Sequence, residues 1–262
     1  MISPGLSRKE REKMEVQYFK EYSPALEKDM EWKVYGSSGR PVLFIPCQDG
    51  RFYDFENFGM TDVWKPWIDS GQVMICSVDT LDRETWSASW SDPRRRILRH
   101  ESWVHYLTDQ MVPWLRTLAN QRNGWSGVPF ILITGCSLGA AHAANLYFRR
   151  PDLFDGLMAL SGVYSAEFAF GSYMDDLIYA NSPVHYLADM PKDHPYISYY
   201  NQKKTIICTG QGPWELPDYT RRLDEILCQK GINAWFDYWG YDCSHDWPWW
   251  KRQTTYFVPY LL

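Results

Sequence analysis

Residues 129–147 read PFILITGCSLGAAHAANLY: an apolar, β-prone run enters a GxSxG turn and leaves it directly as a helix of small residues. Few folds can make that connection. A GxSxG turn between a strand and a helix is sharp and strained, and it lifts the serine Oγ clear of the sheet above a helix N-terminus. Ser137 therefore reads as a nucleophile. Gly135 and Gly139 have a mechanical part in this reading, because a Cβ two residues either side of the serine would collide with a neighbouring strand or helix. Ala140, Ala141, Ala143 and Ala144 let that helix pack closely.

The rest of the chain alternates strand and helix signals, the pattern of an α/β fold around a largely parallel sheet. Strands are expected at 31–35, 41–46, 72–78, 129–134, 156–161, 204–209 and 234–239, and helices at 61–69, 101–121, 138–149, 217–230 and 248–258. In the helix at 101–121, Val104, Leu107, Met111, Trp114, Leu115 and Leu118 recur at helical spacing, and Pro113 should kink it. Neither a repeat nor a linker divides the 262 residues, so one domain spanning 1–262 is expected. The segment 164–202, rich in Tyr, Asp, Pro and His between two strands, reads as a lid or cap.

Lys and Arg total 27 against 32 Asp and Glu, a net charge of −5, and the one tight basic run is Arg94–Arg96. Nucleic acid is not an expected partner. The first residues, MISPGLSRKEREKM, are charged where a signal peptide carries its apolar core, and no apolar stretch approaches the roughly 18 residues of a membrane span, so a cytoplasmic protein without a membrane partner is expected. Cys47, Cys76, Cys136, Cys208, Cys228 and Cys243 lack CxxC spacing and read as reduced thiols; neither a metal site nor a disulfide is expected.

A nucleophilic serine needs a base, and the base an orienting acid; after such a turn the chain order is Ser, then Asp or Glu, then His. His100 and His105 precede the serine, His142 lies on its helix facing away, and His185 and His194 fall in the suspected lid. His245, in the turn GYDCSHDWPWW after the strand AWFDYWG, is in the right place. Asp242 and Asp246 flank it too closely to reach its far ring nitrogen. The turn GQGPWELPDYT offers Glu215 and Asp218; Glu215 is preferred because Asp218 follows Pro217 and fits a helix start. An oxyanion needs two donors. The Leu138 N–H is one; for the other the loop VLFIPCQDG offers Gln48, with Asp49 the near alternative. Among 14 tryptophans, Trp214 and Trp247 neighbour the acid and the histidine and are candidates for substrate contact, with Trp86 and Trp90 behind them.

GCSLGAAHAAN, NSPVHYL, GQGPWE and HDWPWW together resemble the putative-esterase branch of the α/β-hydrolases, related to the S-formylglutathione hydrolases and the mycolyltransferases. The resemblance runs from about Val34 onward. It implies the α/β-hydrolase fold, a Ser-acid-His triad acting on a small-molecule ester or thioester, and no cofactor; the reading of 164–202 adds to that fold a cap-like insertion before the acid-bearing strand. Ser137 would be the nucleophile, His245 the base, and the acid would lie in GQGPWE. Relatives often carry an acidic residue where Gln211 stands, so this chain departs from the pattern beside the acid. Acyl transfer through the same triad and a non-catalytic binding module are the alternative functions, and self-association is left open.

Overall fold

The computed structural model describes residues 14–262, so the charged N-terminal run considered above lies, up to Lys13, outside the described residues. One sheet of eight strands runs in the order β1-β2-β4-β3-β5-β6-β7-β8. The strands are β1 (Val16–Ser23), β2 (Lys28–Tyr35), β3 (Arg40–Ile45), β4 (Val73–Val78), β5 (Ile131–Cys136), β6 (Phe154–Leu160), β7 (Lys204–Thr209) and β8 (Trp235–Tyr238). From β4 to β8 every neighbouring pair is parallel, whereas β1 pairs antiparallel with β2 and β2 antiparallel with β4.

Parallel strands covered on both faces need apolar side chains in both directions. Val42 and Phe44 of β3 point into the core shared with α2 (Met60–Asp69) and α11 (Trp247–Leu261), preceded by the single turn α1 (Asp54–Asn57). Leu43 and Ile45 point the other way, into the core under α3 (Pro93–His105), α4 (Val112–Asn123) and α5 (Leu138–Arg149). The second face continues through the short helices α6 (Glu167–Phe170), α7 (Asp176–Ala180), α8 (Pro183–Asp189) and α9 (Pro195–Asn201), and then α10 (Pro217–Lys230).

Two points of the sequence reading are corrected. The sheet has an edge strand, β1, that was not foreseen, because all its side chains but Phe19 and Ser23 are exposed and leave no apolar alternation to read. The helix expected at 101–121 begins at Pro93, where the Asp92 carboxylate caps the Arg95 N–H at 2.9 Å. A six-residue π-helical stretch, Tyr106–Met111, interrupts the helical run and ends just before Pro113, which stands in the first turn of α4. The segment 164–202, read above as a lid or cap, connects β6 to β7, and Tyr164, Val184, Leu187, Ile197 and Tyr200 within it are buried in the main core.

Helix α5 lies against β3 at backbone distance. A Cβ on Gly139 would run into the Ile45 and Pro46 carbonyls, and one on Gly135 would lie 2.5 Å from the Gly139 carbonyl. Gly139→Ala is therefore expected to cost at least about 2 kcal/mol, roughly 4–8 °C in Tm by calorimetry. Gly127→Ala, whose Cβ meets nothing within 4 Å, serves as the control and should not shift Tm. A Gly139→Ala protein melting with the wild type would contradict this packing.

Candidate active site

The parallel strands end on one side of the sheet, and the chemistry-bearing side chains gather there, as expected at the carboxyl ends of such strands. Ser137 follows β5 directly, at φ 57 and ψ −129. This strained corner is clamped: the Ser137 N–H donates to Leu160 O at 2.8 Å, and its carbonyl accepts from the N–H groups of Ala140 and Ala141. His245 lies in the loop between β8 and α11. Its Nε2 is 2.8 Å from Ser137 Oγ, and its Nδ1 is 3.2 Å from Glu215 Oε2.

Two loops must press together to make that chain. A Cβ on Gly212 would sit 2.6 Å from the Cys243 carbonyl oxygen, and one on Gly210 would collide with the same atom, so the GQG sequence after β7 admits the β8 loop. The Gly212 N–H donates to Cys243 O at 2.9 Å and the His245 N–H to Pro213 O at 3.0 Å. Trp214, in the left-handed region at φ 66, turns the chain back so that Glu215 points inward.

The Glu215 side chain is 1% exposed, and a buried carboxylate is tolerable only with its lone pairs occupied. Here Oε1 accepts from Ser161 Oγ at 2.7 Å and from the Gly210 N–H at 3.2 Å, while Thr209 Oγ1 stands 3.3 Å from Oε2. Ser161 in turn accepts from Trp250 Nε1 at 3.0 Å, and the Trp250 ring stands edge-on to the His245 imidazole, 5.0 Å between centroids. Beside the serine, burial, with Cys47 and Glu215 nearby, pushes the Cys136 thiol well above its ordinary pKa; burial raises Cys47 likewise. Both thiols are thereby favoured in the protonated form.

The remaining sequence candidates sort by place. Asp218 is 92% exposed and pairs with Arg221, away from the histidine. Gln211, at the position where relatives often have an acid, spans Trp239 O and Arg221, so it braces the loop and does not meet His245. Leu138 opens α5, so its N–H has no intrahelical acceptor. The Asp49 N–H is taken by Asp82 Oδ2, whereas the Gln48 side chain reaches Ser87 Oγ at 2.8 Å. Trp247 stacks on Phe58 at 4.5 Å and 7°. Trp214 is 87% exposed and Trp90 80% exposed. Trp86, offered as a cleft residue, is instead buried against His100, His142 and Phe170. Among the described residues no group of three or more His, Cys, Asp and Glu side chains is placed to hold a metal ion.

Ser161, Thr209, Trp250 and Phe58 escaped the sequence reading. Ser161 carried a usable signal, since it directly follows a buried strand, the position that also yields Ser137. Removing its hydroxyl takes one donor from a buried carboxylate and the acceptor from Trp250. Ser161→Ala should therefore lower stability by about 1–3 kcal/mol in denaturant titration, against roughly 0.3–1 kcal/mol for the exposed helix-start change Asp218→Asn. Equal stabilities for the two variants would contradict the bonding described for Glu215.

The family model described as Putative esterase matches residues 23–259, all but the first 22 and the last three residues. Among solved structures, a ferulic acid esterase superposes with a TM-score of 0.74 at 15% identity, over 95% of this chain and 97% of that one. An S-formylglutathione hydrolase from Agrobacterium tumefaciens gives 0.71 at 12% identity over 94% of each chain. The Mycobacterium tuberculosis protein MPT51 gives 0.62 at 14% identity, over 92% of this chain and 97% of that one. No curated protein sequence matches the chain significantly. At these identities the superpositions speak for a shared α/β-hydrolase fold, and the family match speaks for descent: the chain belongs to the Putative esterase family and is a carboxylic ester hydrolase.

Proposed function

We propose that this esterase works through a covalent acyl-enzyme on Ser137, with His245 as general base and acid and Glu215 as the orienting carboxylate. The observation that carries the reading is the unbroken chain from Glu215 Oε2 through both nitrogens of His245 to Ser137 Oγ. Ser137 Oγ attacks the ester carbonyl as His245 Nε2 takes its proton; Glu215 holds the ring in the tautomer that can accept it and stabilises the imidazolium. The new oxyanion is met by the Leu138 N–H and the Gln48 N–H. Gln48 is the donor of choice in its loop because the Asp49 N–H is already committed to Asp82. Collapse expels the alcohol with the proton from His245. Water, activated by the same nitrogen, then releases the acid.

The stacked Trp247 and Phe58 rings offer a flat apolar wall beside the histidine loop, and Trp214 an exposed aromatic rim; we assign both to the apolar part of the ester. No helix among the described residues is long and apolar enough to cross a membrane. The six free cysteines fit a reducing compartment, in keeping with the cytoplasm. Ser137→Ala should fold and lose p-nitrophenyl acetate hydrolysis by about 10⁶-fold, the scale for a triad that acts as a unit. Glu215→Gln should cost up to about 10⁴-fold, and Asp218→Asn little. Near-full turnover in Ser137→Ala would remove the nucleophile, and a large rate loss confined to Asp218→Asn would move the acid.

A further inference from the structure

The loop after β3 carries the Gln48 N–H, and its conformation is secured from a distance. Asp49 sits in the left-handed region at φ 59, a strained place for a residue with a Cβ. Its N–H donates to Asp82 Oδ2 at 3.2 Å. The other oxygen of that carboxylate, Oδ1, lies 2.9 Å from His142 Nε2. Both the Asp82 and the His142 side chains are 2% exposed. His142 belongs to α5, the helix that begins immediately after Ser137. One buried carboxylate thus ties the loop bearing one oxyanion donor to the helix bearing the other.

The surroundings fix both partners. The His142 ring is packed against Trp86, Trp103 and His100 at centroid distances of 5.3, 5.2 and 5.1 Å. Trp86 is itself held by its Nε1–H donating to His100 Nδ1 at 3.1 Å. Burying a carboxylate and an imidazole is costly, and apolar side chains of similar volume could fill this space. What apolar side chains cannot do is aim at a backbone N–H; the directed bond to Asp49 is what the polar pair adds.

We propose that Asp82 and His142 are a positioning pair for the oxyanion pocket, holding the Gln48 N–H of the β3 loop at a fixed separation from the Leu138 N–H of α5. The inference rests on the reading of Ser137 as nucleophile. Neither residue touches the reacting atoms; both act through the loop. Complete loss of one oxyanion donor costs about 10²–10³-fold in kcat, and misplacement by about 1 Å costs up to about 10²-fold, so the expected effect lies at roughly 10- to 100-fold.

The test compares Asp82→Ala and His142→Phe with Asp82→Asn, which keeps an acceptor for the Asp49 N–H. kcat and KM are measured on p-nitrophenyl acetate, together with affinity for an aryl trifluoromethyl ketone, whose serine adduct places an oxyanion in the pocket. Asp82→Ala and His142→Phe should lose roughly 10- to 100-fold in kcat with KM within about threefold, and should lose affinity for the ketone by the same factor. Asp82→Asn should recover most of both. Folded variants with kcat within about twofold of the wild type would overturn the pair, as would a loss confined to KM or a fall in kcat with ketone affinity unchanged. Failure of both Asp82→Ala and His142→Phe to fold would mark a stability element and equally overturn it. Activity surviving in Ser137→Ala, by contrast, would refute the acyl-enzyme reading itself, so the two failures are told apart.

Discussion

A carboxylate with its side chain 1% exposed must be bonded on every side or carry a penalty of several kcal/mol, and Glu215 is bonded by groups from three separate strand ends. Ser161 comes from the end of β6, Thr209 and Gly210 from the end of β7, and His245 from the loop after β8. Trp250, on α11, reaches the same cluster through Ser161 and lays its ring edge against the imidazole. The orientation of His245 toward Ser137 is thus a consequence of how three parallel strands and one helix terminate. It is not a property of the histidine loop alone.

Strain is concentrated where this convergence needs it. Among the described residues five non-glycine residues have positive φ: Glu27, Asp49, Ser137, Ser161 and Trp214. All but Glu27 lie in the segments that follow β3, β5, β6 and β7 at the carboxyl ends of the strands. Such conformations cost of order 1–3 kcal/mol each and persist only where the surroundings over-determine them. Here the surroundings are specific: Leu160 O holds Ser137, Cys208 O holds the Ser161 N–H, and Asp82 holds Asp49. The apolar sheet, buried on both faces, supplies the rigidity against which those bonds act.

Residues whose role is fixed by local backbone geometry were legible in the sequence. The strand-GCSLG-helix succession pointed to Ser137, and the position of His245 in a loop after a strand pointed to the histidine whose Nε2 lies 2.8 Å from Ser137 Oγ. Glu215 could be preferred over Asp218 because a residue just after Pro217 already had a helix-start explanation. The parallel strands showed themselves as continuous apolar runs. What stayed hidden depends on contacts distant in sequence. Ser161 and Glu215 are 54 residues apart, and Asp82 and His142 are 60 apart. Nothing local distinguishes a serine that holds a carboxylate from one on a surface turn. The edge strand β1 was missed because only Phe19 and Ser23 of its side chains are drawn out of solvent, and the polar, proline-rich composition of 164–202 conceals the few large residues that anchor it. His142 was set aside as a base, and its buried partner Asp82 could not be foreseen.

The central claim is that Glu215 and His245 make the Ser137 hydroxyl able to attack an ester. Its most direct test is the site of covalent capture: the protein is treated with a fluorophosphonate, digested, and the modified peptide sequenced by mass spectrometry. The account predicts a single phosphonyl adduct on Ser137, formed in step with loss of esterase activity. An adduct on another residue accompanying that loss, or full inactivation with Ser137 unmodified, would contradict it.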